Sequence, residues 1–332
     1  MTNPNPKSLA IPPERYSLRE RLPSISVLGP LMALVLAVIF FSVRADNFLS
    51  GQNFSLILQQ VAVLGVLAIG QTLVILTAGI DLSNGMIMAL GNVLVTKLAV
   101  TAGLPPVVAI LLALAATTFI GFLNGTLITR VKLPPFIVTL GMLNIVFATT
   151  QIYSGAQTVT GLPNALTFLG NTFRIGGAAV TYGTVLMLLL YLVTALILSH
   201  TAPGRHLYAV GNNPEAARLT GIPTQRVILL VYTVAGLLYG IAALVLVART
   251  GAGDPNAGGT ENLDSITAVV LGGTSLFGGR GLLIGTLIGA LIVGVFRNGL
   301  TLMGVPSVYQ ILITGILVIL AVATDQFSRR RS

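Results

Sequence analysis

The chain has 332 residues, of which 54% are hydrophobic and only 8% charged, with a mean hydropathy of +0.92. Soluble domains do not carry that composition, and the lack of cysteine excludes disulfides and thiolate metal sites. The net charge of +9 fits basic inner loops of a membrane protein, not a nucleic-acid partner.

In chain order, residues 1–26 are polar and carry Lys7, Arg15, Arg19 and Arg21 ahead of an apolar run. The pattern is signal-like, with a passable cleavage site at Val43–Ala45. The run is longer than an ordinary signal core and many more follow, so it is read as an uncleaved first helix. A bilayer crossing needs about 20 apolar residues. Ten candidate spans follow: Val27–Val43, Ser55–Thr77, Met86–Ala102, Val107–Ile128, Phe136–Tyr153, Ala179–Ser199, Val227–Val247, Ser265–Leu276, Leu282–Phe296 and Ser307–Thr324. They lack the alternation of a membrane β-barrel. The expected fold is all-α, a polytopic helical membrane protein of about ten transmembrane helices, some short or broken. Ser265–Leu276 is too short to cross alone. The expected organisation is a cytoplasmic tail over 1–26, a membrane domain over 27–324 with a long loop over 201–226, and a cytoplasmic tail over 325–332.

Charge orients this arrangement. With the N-terminus cytoplasmic, the inner segments hold 13 of the 18 Lys and Arg, among them Arg130, Lys132, Arg205, Arg218, Arg226, Arg280 and Arg329–Arg331. Both ends are then cytoplasmic. A candidate internal repeat pairs Ala78–Gly91 with Gly272–Gly285, matching Gly79 with Gly273, Leu82 with Leu276, Gly85 with Gly279 and Gly91 with Gly285. In a protein with 37 glycines such matches also arise by chance. A true duplication would place a transport pathway at these Gly-interrupted segments.

The long inner loop contains "GNNPEAARLTGIP", Gly211–Pro223, which is polar in apolar surroundings. Asn213 suits an N-cap and Pro214 the first helical position. Glu215 and Arg218 complement the helix dipole and lie three apart. Gly221 suits the left-handed position past the end, and Pro223 blocks continuation. The spacing predicts a helix over Pro214–Thr220, about 10 Å long. Such a helix is marginal alone in water. It either packs on its own bundle or enters a groove on a partner.

The segment Gly204–Ile222, "GRHLYAVGNNPEAARLTGI", resembles the cytoplasmic loop of the permease subunits of ribose-type ABC sugar importers. "GQTLVILTAGIDLSNG" (Gly70–Gly85), "PPFIVTLGML" (Pro134–Leu143), "GAGDPNAG" (Gly251–Gly258) and "AVVLGGTSLFGGRG" (Ala268–Gly281) extend the resemblance to about Phe54–Ala323. It departs at Asn212, where a second glycine is usual, and at Asn84, where a small apolar residue is usual. The resemblance implies a monosaccharide-importing subunit of a bacterial inner membrane. Asn213, Pro214, Glu215, Ala216, Arg218, Leu219 and Gly221 would dock on a separate ATP-hydrolysing subunit. It also implies a periplasmic sugar-binding protein, a second permease copy, surrounding lipid, and no cofactor, metal or nucleotide on this chain. Phe296–Gln310 resembles fructose-importer permeases.

Asp81 is the one carboxylate inside a long apolar region. It either lines a pathway or caps a turn. Among the amides within spans (Gln59, Gln60, Gln71, Asn92, Asn124, Asn144), Gln60, Gln71, Asn92 and Asn144 join Asp81 as pathway candidates. Their commoner role is to link helices. Asp254, Glu261 and Asp264 make the outer loop after Gly251 acidic, as a solvated turn or as a contact for the binding protein. "GGTSLFGGRG" lacks the Gly-Lys-Ser/Thr ending of a phosphate cradle. His200 and His206 have no ligand partners at metal spacing. Three other classes compete. An ion-coupled transporter needs midplane charges, and only Asp81 qualifies. A membrane hydrolase needs a nucleophile with a base, and none is evident. A related ABC permease for amino acids differs only in ligand.

Overall fold

The computed structural model describes residues 25–329. Lys7, Arg15, Arg19, Arg21, Arg330 and Arg331 lie outside the described residues. Thirteen helices follow in order: α1 (Ile25–Arg44), α2 (Gly51–Leu76), α3 (Asn84–Val100), α4 (Pro106–Thr129), α5 (Pro135–Ser154), the one-turn α6 (Asn164–Thr167), α7 (Tyr182–His200), α8 (Ala202–Asn212), α9 (Pro214–Leu219), α10 (Thr224–Thr250), α11 (Glu261–Leu271), α12 (Leu283–Leu302) and α13 (Ser307–Arg329). Strands β1 (Thr172–Ile175) and β2 (Ala178–Thr181) pair antiparallel ahead of α7. The chain is thus a polytopic helical membrane protein. The hairpin is the one sheet among the described residues of this otherwise helical chain. Seven helices (α1, α2, α4, α5, α7, α10 and α12) are long and apolar enough to cross a membrane.

Local sequence explains where these helices begin. Ser50 caps α2 by accepting from the Asn53 N–H at 3.2 Å. Pro at the first turn opens α4 and α5, where its missing N–H has no intrahelical partner to lose. The span expected to begin at Ala179 begins as a helix only at Tyr182, because Ala178–Thr181 pairs with β1 across a Gly176–Gly177 turn with both φ positive. Two successive left-handed residues are what a tight hairpin turn demands. The hairpin rests on the start of α2, where the Ala179 N–H donates to Ser55 Oγ at 2.7 Å.

Contacts between helices set their directions. α4 and α10 run antiparallel and approach through small residues. A Cβ on Gly121 would lie 2.3 Å from the Tyr232 carbonyl oxygen, and one on Gly236 would lie 2.5 Å from that of Thr117. Small residues allow such backbone approach where lipid supplies no hydrophobic drive between helices. α12 pairs antiparallel with α2 (Thr72 to Thr286, Val61 to Gly294) and parallel with α1, whose buried Phe41 sits on Gly299. Beside the seven long helices, α3 and the Ser307–Leu320 part of α13 are shorter apolar stretches, and α11 has 11 residues. α8 and α9 lie at the end of the bundle where α2 stops, with Gly211 packed on the Leu76 carbonyl. That end is termed inner.

Two passes are broken. After α2 reaches the inner end, residues 77–83 turn back into the protein before α3 starts. On the other side, Gly253–Thr260 dips inward from the outer end beside α3. A Cβ on Gly253 would meet Thr96, and one on Gly258 would meet the Gly85 carbonyl. α11 then completes the crossing. Helix–break–helix also describes both halves of the candidate repeat, α2–α3 and α11–α12. Their backbones differ in detail: the first half has one left-handed residue, Ala78, whereas the second has Gly273, one position further along in the alignment, and also Gly278 and Gly279.

Candidate functional site

The inner loop folds as two short helices. Thr201 caps α8, accepting weakly from the Gly204 N–H at 3.4 Å. Asn213 ends α8 and starts α9 in an extended conformation, its side chain accepting from the Ala216 N–H at 3.0 Å. At the far end the Gly221 N–H donates to the Arg218 carbonyl and the Ile222 N–H to the Ala217 carbonyl, with Gly221 at φ 87°. These are the two hydrogen bonds of a Schellman stop. The helix ends at Leu219, one residue before the expected Thr220. Its only buried residue is Ala217; Leu219 is 78% exposed. The Glu215–Arg218 pair, 3.1 Å apart, is also exposed. The peg therefore leans on the bundle by one methyl group and presents Glu215, Arg218 and an uncovered leucine outward.

Its base is wired to both broken passes. Gly211 lies so near the end of α2 that a Cβ would fall 1.8 Å from the Leu76 carbonyl oxygen. The same oxygen accepts from the Gly279 N–H at 3.0 Å. Tyr208 Oη donates to the Gly281 carbonyl at 2.9 Å. Gly278 and Gly279 hold positive φ and abut Gly211 and Asn212. One helix, α8, thus touches the α2 end and the α11–α12 break together.

Deeper in the protein, the N-termini of α3 and α11 converge. A Cβ on Gly85 would meet the Gly258 carbonyl and the Asn262 N–H. Asn84 Nδ2 donates to Gln71 Oε1 at 2.9 Å and to Ser265 Oγ at 2.8 Å, joining α2, α3 and α11. Asp81 Oδ1 accepts from the Ser83 N–H (2.8 Å) and hydroxyl (2.6 Å), closing the turn ahead of α3. Asn124 Nδ2 donates to Ser83 Oγ at 3.1 Å, and Thr139 Oγ1 to the Ile80 carbonyl at 3.0 Å. A Cβ on Gly79 would come within 2.5 Å of Tyr232 Oη. Buried polar atoms remain over, including Gln71 Nε2, Asp81 Oδ2 and Asn84 Oδ1. Opposed helix N-termini inside a membrane protein make a polar focus in apolar surroundings.

The expected pathway residues divide. Gln71 and Asp81 belong to this focus. Asn92 lies on the same side higher in α3, its Oδ1 accepting from the Asp254 N–H at 3.0 Å. Gln60 sits apart in the outer half of α2 with a buried, unpartnered Oε1. Asn144 faces out of the bundle, and its amide donates only to the Leu140 carbonyl of its own helix. Of the outer acids, Asp254 is half-buried, with Oδ1 closing a turn onto the Asn256 N–H. Glu261 and Asp264 turn inward to Arg297, 3.8 and 3.2 Å away.

Sequence reasoning passed over Tyr208, Arg297, Ser265 and the tyrosines of α10. Tyr208 was within reach, because it lies one turn before the singled-out loop on an amphipathic stretch. Ser265 carried no signal.

The family model described as "Branched-chain amino acid transport system / permease component" matches residues 53–322. The chain is 48% identical over 307 residues to the fructose import permease protein FrcC of Rhizobium meliloti, covering 91% of this chain and 85% of that one. It is 42% identical to the ribose import permease protein RbsC of Bacillus subtilis (90% and 92% covered). It is 34% identical to the xylose transport system permease protein XylH of Escherichia coli K12 (100% and 99% covered). No solved structure matches.

Proposed function

This chain belongs to the branched-chain amino acid transport system / permease component family, and from that premise we propose that it is the membrane subunit of an ATP-driven monosaccharide importer. The relatives quoted above carry sugar names, which favours a pentose or hexose over the amino acids of the family's description. The membrane is a bacterial inner membrane, with both ends of the chain in the cytoplasm, as the excess of inner Lys and Arg suggests.

In this reading α9 is the coupling peg, seated in a groove of a separate ATPase subunit. ATP binds there and not on this chain. One observation carries the mechanism: the peg's base, α8, bears on the α2 end through Gly211 and on the α11–α12 break through Tyr208. A push on α9 reaches both broken passes at once. They would shift as packed bodies, opening and closing the polar focus between α3 and α11. Each chain has one peg and ATP-driven closure uses two ATPase domains, so two copies pair. A periplasmic binding protein delivers the sugar to the outer end, with Asp254 as the acidic contact.

The test is co-purification with the ATPase subunit, and uptake into proteoliposomes, for wild type and for Glu215→Arg with Arg218→Glu. The doubly reversed chain should remain folded, lose the ATPase and lose uptake. Unchanged capture with unchanged uptake would remove α9 from the coupling path. Uptake by the chain without any ATPase would overturn the importer reading itself.

A further inference from the structure

At the outer end, α11, α12 and the first turns of α13 enclose a cavity of about 110 Å3. Its wall is amphipathic. Phe296, Leu300 and Ile311 form apolar faces, and Asp264, Arg297 and Gln310 bring polar groups. Arg297 Nη1 donates to Asp264 Oδ2 at 3.2 Å. The Asp264 side chain is 8% exposed and that of Arg297 50%, so a guanidinium on the open side backs onto a shielded carboxylate. Nε and Nη2 of Arg297 have no acceptor among the described residues. Gln310 donates its amide to Thr301 Oγ1 and the Val305 carbonyl, leaving Oε1 without a protein donor among those residues.

Charge narrows the ligand. The cavity lining carries one basic side chain, Arg297, and one acidic one, Asp264, paired with each other. It offers fixed donors and acceptors without net charge, so it favours neither an anion nor a cation. A neutral polyol meets both needs. The fork of an arginine spans adjacent hydroxyls, and an apolar wall with a few placed polar groups is the usual form of a small-molecule site.

We propose that this cleft is a monosaccharide subsite on the outer side of the pathway, with Arg297 donating to vicinal hydroxyls and Asp264 fixing the guanidinium. This rests on the sugar-importer reading above. It places the ligand at the start of α11, whose other end leads into the break held by α8. Binding at the outer end and movement at the inner end would then act on one 11-residue helix.

The chain has no cysteine, so Thr314→Cys places a single thiol on the cavity wall, and Ile152→Cys serves as an exposed outer control. In the importer assembled with its ATPase, a thiol reagent is applied with and without D-fructose, D-ribose or D-xylose. At about tenfold over its Kd, a bound sugar should slow labelling at Thr314→Cys roughly tenfold and leave Ile152→Cys unchanged. Arg297→Lys should weaken uptake about tenfold at limiting sugar with ATPase capture intact. Labelling at Thr314→Cys that no sugar slows would overturn the subsite. So would a thiol blocked by assembly alone, which would give the cleft to lipid or to the second copy. Full uptake by the Arg297→Asp, Asp264→Arg exchange would reduce the pair to a structural latch and likewise end the proposal. A wild-type importer without ATP-dependent sugar uptake would instead sink the sugar reading, whatever the labelling shows.

Discussion

Gly211 of α8 packs with its Cα against the end of α2, so that a Cβ there would lie 1.8 Å from the Leu76 carbonyl oxygen. No flexible side chain stands in between to yield. Gly211→Ala must therefore displace α8 from α2 or move the Leu76 carbonyl, which also accepts from Gly279. Overpacking of this kind costs about 1–3 kcal/mol. The expected outcome is a chain that inserts and still captures the ATPase but whose uptake per ATP hydrolysed falls. The ratio of sugar taken up to phosphate released in proteoliposomes measures it. An unchanged ratio would mean that this contact transmits nothing.

The peg itself is held by local chemistry. Asn213→Ala removes the side-chain acceptor for the Ala216 N–H and should destabilise α9 by about 1 kcal/mol. Asn213→Asp keeps an acceptor and should behave as wild type. Because only Ala217 is buried, neither change should move the melting temperature of the whole bundle. ATPase capture should weaken in the alanine variant alone. The exposed Glu215–Arg218 pair contributes below about 1 kcal/mol to folding, so its reversal reports on docking and not on stability.

How far such features can be read from sequence depends on their range. The peg was legible because its cap, proline, ion pair and glycine stop act within a dozen residues. The long helices were legible from apolar runs alone. Hydropathy has no direction, however, so Ala179 and Val180 were absorbed into a span although they pair with Arg174 and Phe173. The Gly176–Gly177 turn was the available signal. The central bond from Asn84 to Ser265 joins residues 181 positions apart, and nothing local at either residue announces it. Arg297 carries no local signal either, since its partners Glu261 and Asp264 lie on another helix.

That long-range bond gives a further prediction. Asn84 Nδ2 serves both Gln71 Oε1 and Ser265 Oγ while buried. Asn84→Leu leaves the Gln71 and Ser265 oxygens without this donor and should cost about 1–3 kcal/mol. Ser265 Oγ keeps its own donation to the Asn262 carbonyl, so Ser265→Ala should cost less. Residues sharing one network do not add. The double variant should therefore lose less than the sum of the singles in a thermal-unfolding series in detergent. Additive losses would show that the three groups are independent.

Tyr208 separates the two arms of the proposed linkage. Its hydroxyl donates to the Gly281 carbonyl at 2.9 Å, while the ring packs against the buried core. Tyr208→Phe deletes the bond and keeps the ring, so folding should lose only about 1 kcal/mol. The α2 contact through Gly211 is untouched. If both breaks must move together, the phenylalanine variant should retain ATPase capture and hydrolysis yet import sugar more slowly, and combining it with Gly211→Ala should abolish import. If the α2 arm alone suffices, Tyr208→Phe will import at the wild-type rate, and the contact with Gly281 is then a local brace of the α11–α12 break. Initial uptake rates at matched ATP hydrolysis decide between these outcomes.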